Sequence, residues 1–161
     1  MRGSSLAWWL LPLGVLGLDW GSKRWVLERF HPGDVHPVIP GFFNLTLGFN
    51  PGAIFGSFAS FSPGLRQVFF LGTAVVALGY FGWEFGRSEM SRPQRVALGL
   101  ILGGILGNSL DRWVHGHVVD FLDFVFWGWH YWTFNLADSA IVCGAILSGW
   151  SWIRSVRSGA A

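Results

Sequence analysis

Four apolar stretches, separated by polar and aromatic segments, dominate the pattern of this chain. They cover residues 6–18, 68–83, 96–110 and 139–153. Each is shorter than the ~20 residues that a helix needs to cross a bilayer, so we expect the helices to extend into their polar flanks. We therefore predict an all-α membrane protein, built as a single domain with four transmembrane helices. Their approximate bounds are residues 5–27, 65–85, 95–112 and 136–155.

The segments between the apolar stretches carry a second pattern. Residues 30–64 are rich in Pro, Gly and Phe, and within them residues 36–40 and 42–47 are typical of short strands. This loop is too apolar for a disordered linker. We predict a small extracytoplasmic β-sheet at about residues 33–60, and we interpret residues 113–133 as an aromatic loop.

Composition supports the membrane assignment and narrows the chemistry. The chain is 52% hydrophobic and 12% charged, about half the charged fraction of a soluble domain. Many of its Lys and Arg residues lie in short loops or tails, so the basic pI of 9.2 does not indicate nucleic-acid binding. The single cysteine excludes an intramolecular disulfide, and the Cys and His spacing fits no zinc site. We expect no metal and no cofactor.

Alternating spans bring the unusual polar residues to one membrane face. The end of the first span, the end of the third and the start of the fourth must meet there. The residues concerned are Asp19, Lys23, Asn108, Asp111, Arg112, Asp120 and Asp138. The distribution of Lys and Arg favours both termini in the cytoplasm, which places this polar cluster on the extracytoplasmic side.

Carboxylates beside hydrocarbon are expensive to ionise, which makes them candidates for function. Asp138 has a structural alternative, because Asn135 to Asp138 is typical of a helix capping box. Asp120 lies among Val and Phe, which tend to raise a carboxyl pKa, but Asp111 and Asp123 compete with it as candidates. An ion pair with the adjacent Arg112 is the structural alternative for Asp111.

Two carboxyls in one site hold a proton between them. The ionised partner can take a proton from water, while the protonated partner polarises a scissile carbonyl. Asp19 and Lys23, spaced i, i+4, are interpreted as a salt bridge that braces the site. Small residues at Gly99, Gly103 and Gly107 predict a face for close helix packing.

Five motifs, in order along the chain, resemble those of the lipoprotein signal peptidases, also called signal peptidase II. They are Asp19-Trp-Gly-Ser-Lys23, Asn50-Pro-Gly-Ala-Ile-Phe55, Gly103 to Arg112, Val119-Asp120-Phe121 and Phe134-Asn135-Leu-Ala-Asp138. Each is weak alone, but five in this order on a chain of this size are specific. Ile54 stands where a smaller residue is common in the family, and the Trp127 to Trp132 stretch matches no motif.

The resemblance implies an aspartyl endopeptidase with four transmembrane helices and a small sheet that cradles substrate. Its substrate would be a diacylglyceryl-modified prolipoprotein, cleaved before the lipidated cysteine at the extracytoplasmic face of the bacterial plasma membrane. Asp120 and Asp138 would be the catalytic pair. Residues near or supporting the site would be Asn50, Gly52, Asn108, Arg112, Asn135, Asp19, Lys23 and Asp111. Membrane lipids would be its other partners; the sequence leaves the oligomeric state open and is compatible with a monomer.

Two other classes of protein fit part of the pattern. A small transporter or channel would use Asp19 and Asp138 for protons or cations, and it predicts polar residues along both halves of a path. The cytoplasmic halves of the spans are almost wholly apolar, which argues against it. A membrane scaffold explains the glycines and tryptophans but gives no reason for two aspartates.

Overall fold

The computed structural model describes residues 5–52, 61–86 and 90–157. Within them, a short 3-10 helix (Ser5–Trp9) leads directly into the first of four long helices. These are α1 (Leu10–Leu27), α2 (Pro63–Gly86), α3 (Arg92–His115) and α4 (Leu136–Arg157). The second, third and fourth apolar stretches lie within α2, α3 and α4, and the first begins in the 3-10 helix and continues into α1. Each long helix extends into polar flanking residues, as predicted.

A small antiparallel sheet packs at one end of the helices. Its strands are β1 (Val35–Ile39), β2 (Phe43–Asn50), β3 (Val118–Phe126) and β4 (Trp129–His130), in that spatial order. β1 lies at the edge, where Pro37 is tolerated because an edge strand need not donate every N–H.

The interpretation of residues 113–133 as a loop was wrong, because β3 and β4 lie there. β3 is the longest strand of the sheet, with nine residues. Its alternation is hard to see in the sequence. Asp120 and Asp123 lie an odd number of residues apart, so they face opposite sides of the strand and place a carboxylate on each face.

The third helix is the central one and contacts each of the other three. Close approach depends on its glycines: a Cβ at Gly103 would lie 2.6 Å from the Cβ of Val15 in α1. A Cβ at Gly104 would collide with the carbonyl oxygen of Ala137 in α4, and one at Gly107 would lie 2.5 Å from Asp19 Oδ2. The predicted small-residue packing face is therefore confirmed, and it brings α1 and α4 together around the end of α3.

Local signals define both ends of α3. A capping box between Ser91 and Gln94 begins it, with the Ser91 N–H donating to Gln94 Oε1 at 2.9 Å. Gly116 ends it in the left-handed region, at φ 76°. β3 begins two residues later, so the polar end of α3 lies close to Asp120, the third residue of β3.

Two of the described helices, Pro63–Phe85 and Leu136–Arg157, are long and apolar enough to cross a membrane. Hydropathy alone does not select α1 and α3 among the four predicted spans. The reason is chemical: α1 carries Asp19 and Lys23, and α3 carries Asn108, Asp111 and Arg112, all of them buried. These side chains lower the mean hydropathy of helices that are otherwise apolar.

Candidate active site

Asp120 lies near the start of β3 and is only 4% exposed. Both of its carboxylate oxygens accept a hydrogen bond from an amide. Oδ1 accepts from Asn135 Nδ2 at 2.7 Å, and Oδ2 accepts from Asn50 Nδ2 at 3.2 Å. Asn50 ends the neighbouring strand β2, so pairing of the two strands is what places its amide beside Asp120.

Asp138 lies in the first turn of α4 and is half-buried. Its Oδ2 accepts from the backbone N–H of Asn135 at 3.3 Å, while Asn135 Oδ1 accepts from the backbone N–H of Asp138 at 2.9 Å. This reciprocal pair is a capping box, as the sequence predicts. The other oxygen, Oδ1, accepts from Asn108 Nδ2 at 2.7 Å. The cap therefore fixes the carboxyl group and leaves it bonded to the neighbouring helix.

Asn135 connects the two aspartates directly. It is fully buried, its side-chain amide donates to Asp120, and its backbone N–H donates to Asp138. The same Nδ2 lies 3.2 Å from Asn108 Oδ1, so the two amides also contact each other. Asn135 thus holds Asp120 of β3 and Asp138 of α4 together through its two hydrogen bonds, although the two aspartates come from different elements.

The electrostatics of the two carboxyl groups, Asp120 and Asp138, favour the retention of one proton. The pKa of Asp120 is raised from its ordinary 3.8 to about 7, first because the carboxyl group is buried and second because the negative charge of Asp138 is close. Hydrogen bonds from Asn50 and Asn135 act against that rise because they stabilise the ionised form. The net result is a carboxyl group that exchanges its proton near neutral pH, beside a second carboxyl.

Lys23 forms the centre of a second, supporting network. Its ammonium group is almost fully buried and lies 2.7 Å from Asp19 Oδ2 and 2.8 Å from Asp111 Oδ2. Its remaining contact is a hydrogen bond of 3.1 Å to Asn108 Oδ1. The ammonium group therefore has two ion-pair partners and one hydrogen-bond acceptor, and Asn108 joins this network to the aspartate pair.

Each carboxylate of the Lys23 network also holds a backbone group of another element. Asp19 Oδ1 accepts from the N–H of Ala137 at 2.8 Å, in the first turn of α4. Asp111 Oδ2 accepts from the N–H of Val119 at 3.0 Å, next to Asp120. The predicted ion pair of Asp19 with Lys23 is present, whereas Asp111 pairs with Lys23 rather than with the adjacent Arg112.

Arg112 holds the segment that follows β2. Its Nη2 donates to the carbonyl oxygen of Gly52 at 2.6 Å, and its Nη1 donates to that of Asn108 at 3.1 Å. The guanidinium carbon also lies 3.9 Å from the ring centre of Phe70 in α2. Gly52 donates its own N–H to Asn50 Oδ1 at 3.0 Å, which orients the amide that binds Asp120. Ile54, which departs from the family pattern, lies outside the described residues.

Asp123 belongs to a different group of side chains. It accepts from Asn44 Nδ2 at 2.7 Å, and its Oδ2 lies 2.9 Å from His130 Nδ1. Of the three acids that compete on sequence, Asp111 pairs with a lysine, Asp123 faces away, and Asp120 shares Asn135 with Asp138.

Two kinds of contact were missed by the sequence reasoning. The backbone N–H groups of Val119 and Ala137 bind Asp111 and Asp19, and the Phe70 ring covers Arg112. Backbone donors carry no residue-type signal. The position of Phe70 depends on how α2 packs against α3, which the sequence of either helix does not specify.

The chain matches the family model described as signal peptidase (SPase) II over residues 11–154. The chain belongs to the signal peptidase II family. Membership makes it a hydrolase, and more narrowly a membrane-associated protease. The matched range includes every site residue described above, from Asp19 to Asp138.

Curated relatives agree with the family model. A lipoprotein signal peptidase of Neisseria meningitidis serogroup C is 43% identical over 145 residues, covering 90% of this chain and 88% of the relative. One from Burkholderia mallei is 43% identical over 156 residues, covering 96% and 93%. One from Chromobacterium violaceum is 41% identical over 141 residues, covering 87% and 86%.

Two solved structures share the fold. A bacterial membrane enzyme determined by the in meso method at 2.3 Å resolution superimposes with a TM-score of 0.82 and 30% identity, covering 97% of this chain and 91% of that one. A second, at 1.9 Å resolution, gives a TM-score of 0.78 and 30% identity, covering 94% of each chain. Both are similar to this chain over almost its whole length.

Proposed function

We propose that this protein is an aspartyl endopeptidase that removes the signal peptide from diacylglyceryl-modified prolipoproteins, cleaving before the lipidated cysteine. The observation that carries the proposal is the aspartate pair, in which Asp120 and Asp138 share Asn135 and the pKa of Asp120 is raised to about 7. The substrate class rests on membership of the signal peptidase II family and on relatives named lipoprotein signal peptidase.

In the proposed mechanism, Asp120 starts protonated and Asp138 starts ionised. Asp138 takes a proton from a water molecule while the water oxygen adds to the scissile carbonyl carbon. At the same time, Asp120 gives its proton to the carbonyl oxygen. The tetrahedral diol then collapses: its hydroxyl proton returns to Asp120, the C–N bond breaks, and Asp138 gives its proton to the leaving nitrogen. Both carboxyls finish as they began.

Supporting residues keep this geometry ready before substrate arrives. Lys23 joins α1 to Asn108 in α3, and Asn108 joins α3 to Asp138 at the start of α4. A buried, hydrogen-bonded network of this kind restricts side-chain movement. Arg112 and Gly52 hold the amide of Asn50 toward Asp120. We assign these residues to positioning rather than to proton transfer.

The proposal includes the membrane arrangement. All four helices of a single integral domain cross the bilayer, both termini are cytoplasmic, and the site lies at the extracytoplasmic boundary, where the lipid chains of the substrate can remain in the membrane. Among the described residues, the buried polar side chains all lie at the sheet end of the helices, which disfavours a transport path: Asp19, Lys23, Asn44, Asn108, Ser109, Asp111, Arg112, Asp120, Asp123 and Asn135. A reporter fused to the C-terminus tests this orientation, and extracytoplasmic activity of the reporter would contradict it.

The decisive experiment compares three conservative variants, Asp120→Asn, Asp138→Asn and Asp123→Asn. Each is purified in folded form and given a diacylglyceryl-modified prolipoprotein. We expect the first two to lose cleavage and Asp123→Asn to retain it, because Asp123 is as buried as Asp120 but faces Asn44 and His130. Normal cleavage by either of the first two variants would show that the catalytic assignment is wrong.

A further inference from the structure

A shallow groove of about 240 Å³ lies on the sheet beside the aspartate pair. Its lining is entirely apolar and consists of Phe124, Phe126, Tyr131 and Phe134; we refer to it as the aromatic groove. The rings of Phe124 and Phe134 are nearly parallel, with centres 5.8 Å apart, and Tyr131 meets Phe134 edge-on at 6.0 Å. No step of the proposed mechanism uses these side chains.

The groove and Asp120 share one face of β3. Residues two and four apart along a strand point to the same side, so Phe124 and Phe126 follow Asp120 on that face. The register shifts between Leu45 and Gly48, but the extra residue lies in β2, so the alternation along β3 is uninterrupted from Asp120 to Phe124. Phe124 lies four positions along the strand from Asp120, a distance of ~13 Å.

The backbone connects Phe134, which forms one wall of the aromatic groove, to the aspartate pair. Phe134 exchanges hydrogen bonds with Leu122, its N–H donating at 3.1 Å and its carbonyl oxygen accepting at 2.8 Å. The next residue is Asn135, whose amide binds Asp120. The groove is therefore a fixed continuation of the catalytic site and not a separate surface.

The volume of the aromatic groove and its distance from Asp120 match the start of an acyl chain in the proposed substrate. From the scissile carbonyl carbon, eight bonds lead through the cysteine sulfur and glycerol to the first carbon of an acyl chain. An extended chain advances roughly 3.6 Å per three bonds, so the acyl chain begins about 10 Å from the scissile bond. That reach ends at the near edge of the aromatic groove, and 240 Å³ accommodates several methylene groups.

We infer that the aromatic groove binds the first methylenes of one acyl chain of the diacylglyceryl group. This inference rests on the proposed function and adds a subsite to it. The four residues expose only apolar surface to the groove, which favours hydrocarbon over the glycerol or peptide parts of the substrate. The groove would thereby distinguish a lipidated cysteine from an unmodified one and hold it in register with the aspartates.

The test varies the acyl chain and the groove together. Two lipopeptides share one sequence and carry either dibutanoyl or dihexanoyl glyceryl cysteine, and kcat/KM is measured for each in nanodiscs of one lipid composition. Complete burial of a methylene strengthens binding about fourfold. We expect Phe126→Ala and Tyr131→Ala to reduce the hexanoyl-to-butanoyl ratio by about threefold or more through KM, since the groove only partly covers the chain.

Controls separate the groove from membrane partitioning and from the proposed function. Phe69→Ala in α2 removes a ring of similar exposure, 46% against 40% for Phe126, and should keep the wild-type ratio. A photoactivatable acyl chain should label the segment 124–134. The inference is overturned if both groove variants keep the wild-type ratio or if labelling is confined to the helices. If the wild-type protein cleaves neither lipopeptide, the proposed function is wrong, and this inference, which depends on it, is wrong as well.

Discussion

Replacing Lys23 by methionine should destabilise the fold more than any other single change of charge in the described residues. Methionine keeps much of the length of the side chain but removes the ammonium group. Asp19 Oδ2 and Asp111 Oδ2 then lose a cation at 2.7 and 2.8 Å, and Asn108 Oδ1 loses a donor at 3.1 Å. Two carboxylates then remain without a cation in a region shielded from water, where Lys23 itself is only 1% exposed.

The size of the effect follows from burial. Removing one partner of a buried ion pair costs about 3–5 kcal/mol, because the other charge stays desolvated. That is a large part of the ~5–15 kcal/mol by which a native protein is stable. For a chain of this length, 1 kcal/mol shifts the melting temperature by about 2–4 °C, so we expect a decrease of about 6–20 °C.

Arg24→Met is a matched control on the next residue of the same helix. Arg24 also pairs with an acid, Glu28, at 2.9 Å, but the two side chains are 65% and 56% exposed. Exposed pairs contribute about 1 kcal/mol or less. Both variants are followed by tryptophan fluorescence during heating in one detergent, which the 11 tryptophans make practical.

A rescue variant distinguishes lost charge from lost packing. Changing Asp19 and Asp111 to asparagine in the Lys23→Met background removes the stranded charges, while the new amide oxygens still accept from the N–H groups of Ala137 and Val119. We expect this triple variant to recover at least half of the lost stability. A melting temperature for Lys23→Met within about 2 °C of the wild type would refute the reasoning, and so would a triple variant no more stable than Lys23→Met.

Four further predictions address the site and the packing. Because the pKa of Asp120 is raised to about 7, kcat/KM should fall above pH ~7 as its proton is lost. The same shift favours folding at acid pH, below the ordinary 3.8, and that stability is lost as the pH rises through about 7; Asp120→Asn should flatten this pH dependence of the melting temperature. Gly103→Ala should cost about 1–3 kcal/mol, because its methyl group would lie 2.6 Å from the Cβ of Val15, whereas Gly79→Ala, with no atom within 4 Å, should be neutral or stabilising in thermal unfolding. Asp19→Ala should lower the melting temperature yet leave residual cleavage in a prolipoprotein assay; complete loss of cleavage in a well-folded variant would instead place Asp19 among the catalytic groups.

The helices and the meeting of their polar ends were predictable because both depend on local pattern. Apolar runs form helices with their polar residues at the ends, and alternation of direction brings the ends of the first and third helices to the start of the fourth. The capping box at Asn135 was also predictable, since it needs only residues three apart. β3 was missed because its two acids face opposite sides of the sheet, so no simple alternation marks the strand.

The choice among the acids required tertiary structure. From the residues alone, Asp111 and Asp123 remained competitors of Asp120, and family resemblance was needed to choose between them. In the fold, Lys23 neutralises Asp111, and Asp123 faces Asn44 and His130.

What the sequence determined by itself was the location of the candidate site: a polar group of residues at one end of apolar helices. What only the tertiary structure decided was the state of each member of that group. A carboxyl group's proton and orientation depend on its burial and its donors, and those donors come from distant parts of the chain. The bond between Asp19 and the N–H of Ala137 spans 118 residues, and the bond between Asn50 and Asp120 spans 70. A local sequence pattern does not indicate contacts between residues so far apart along the chain.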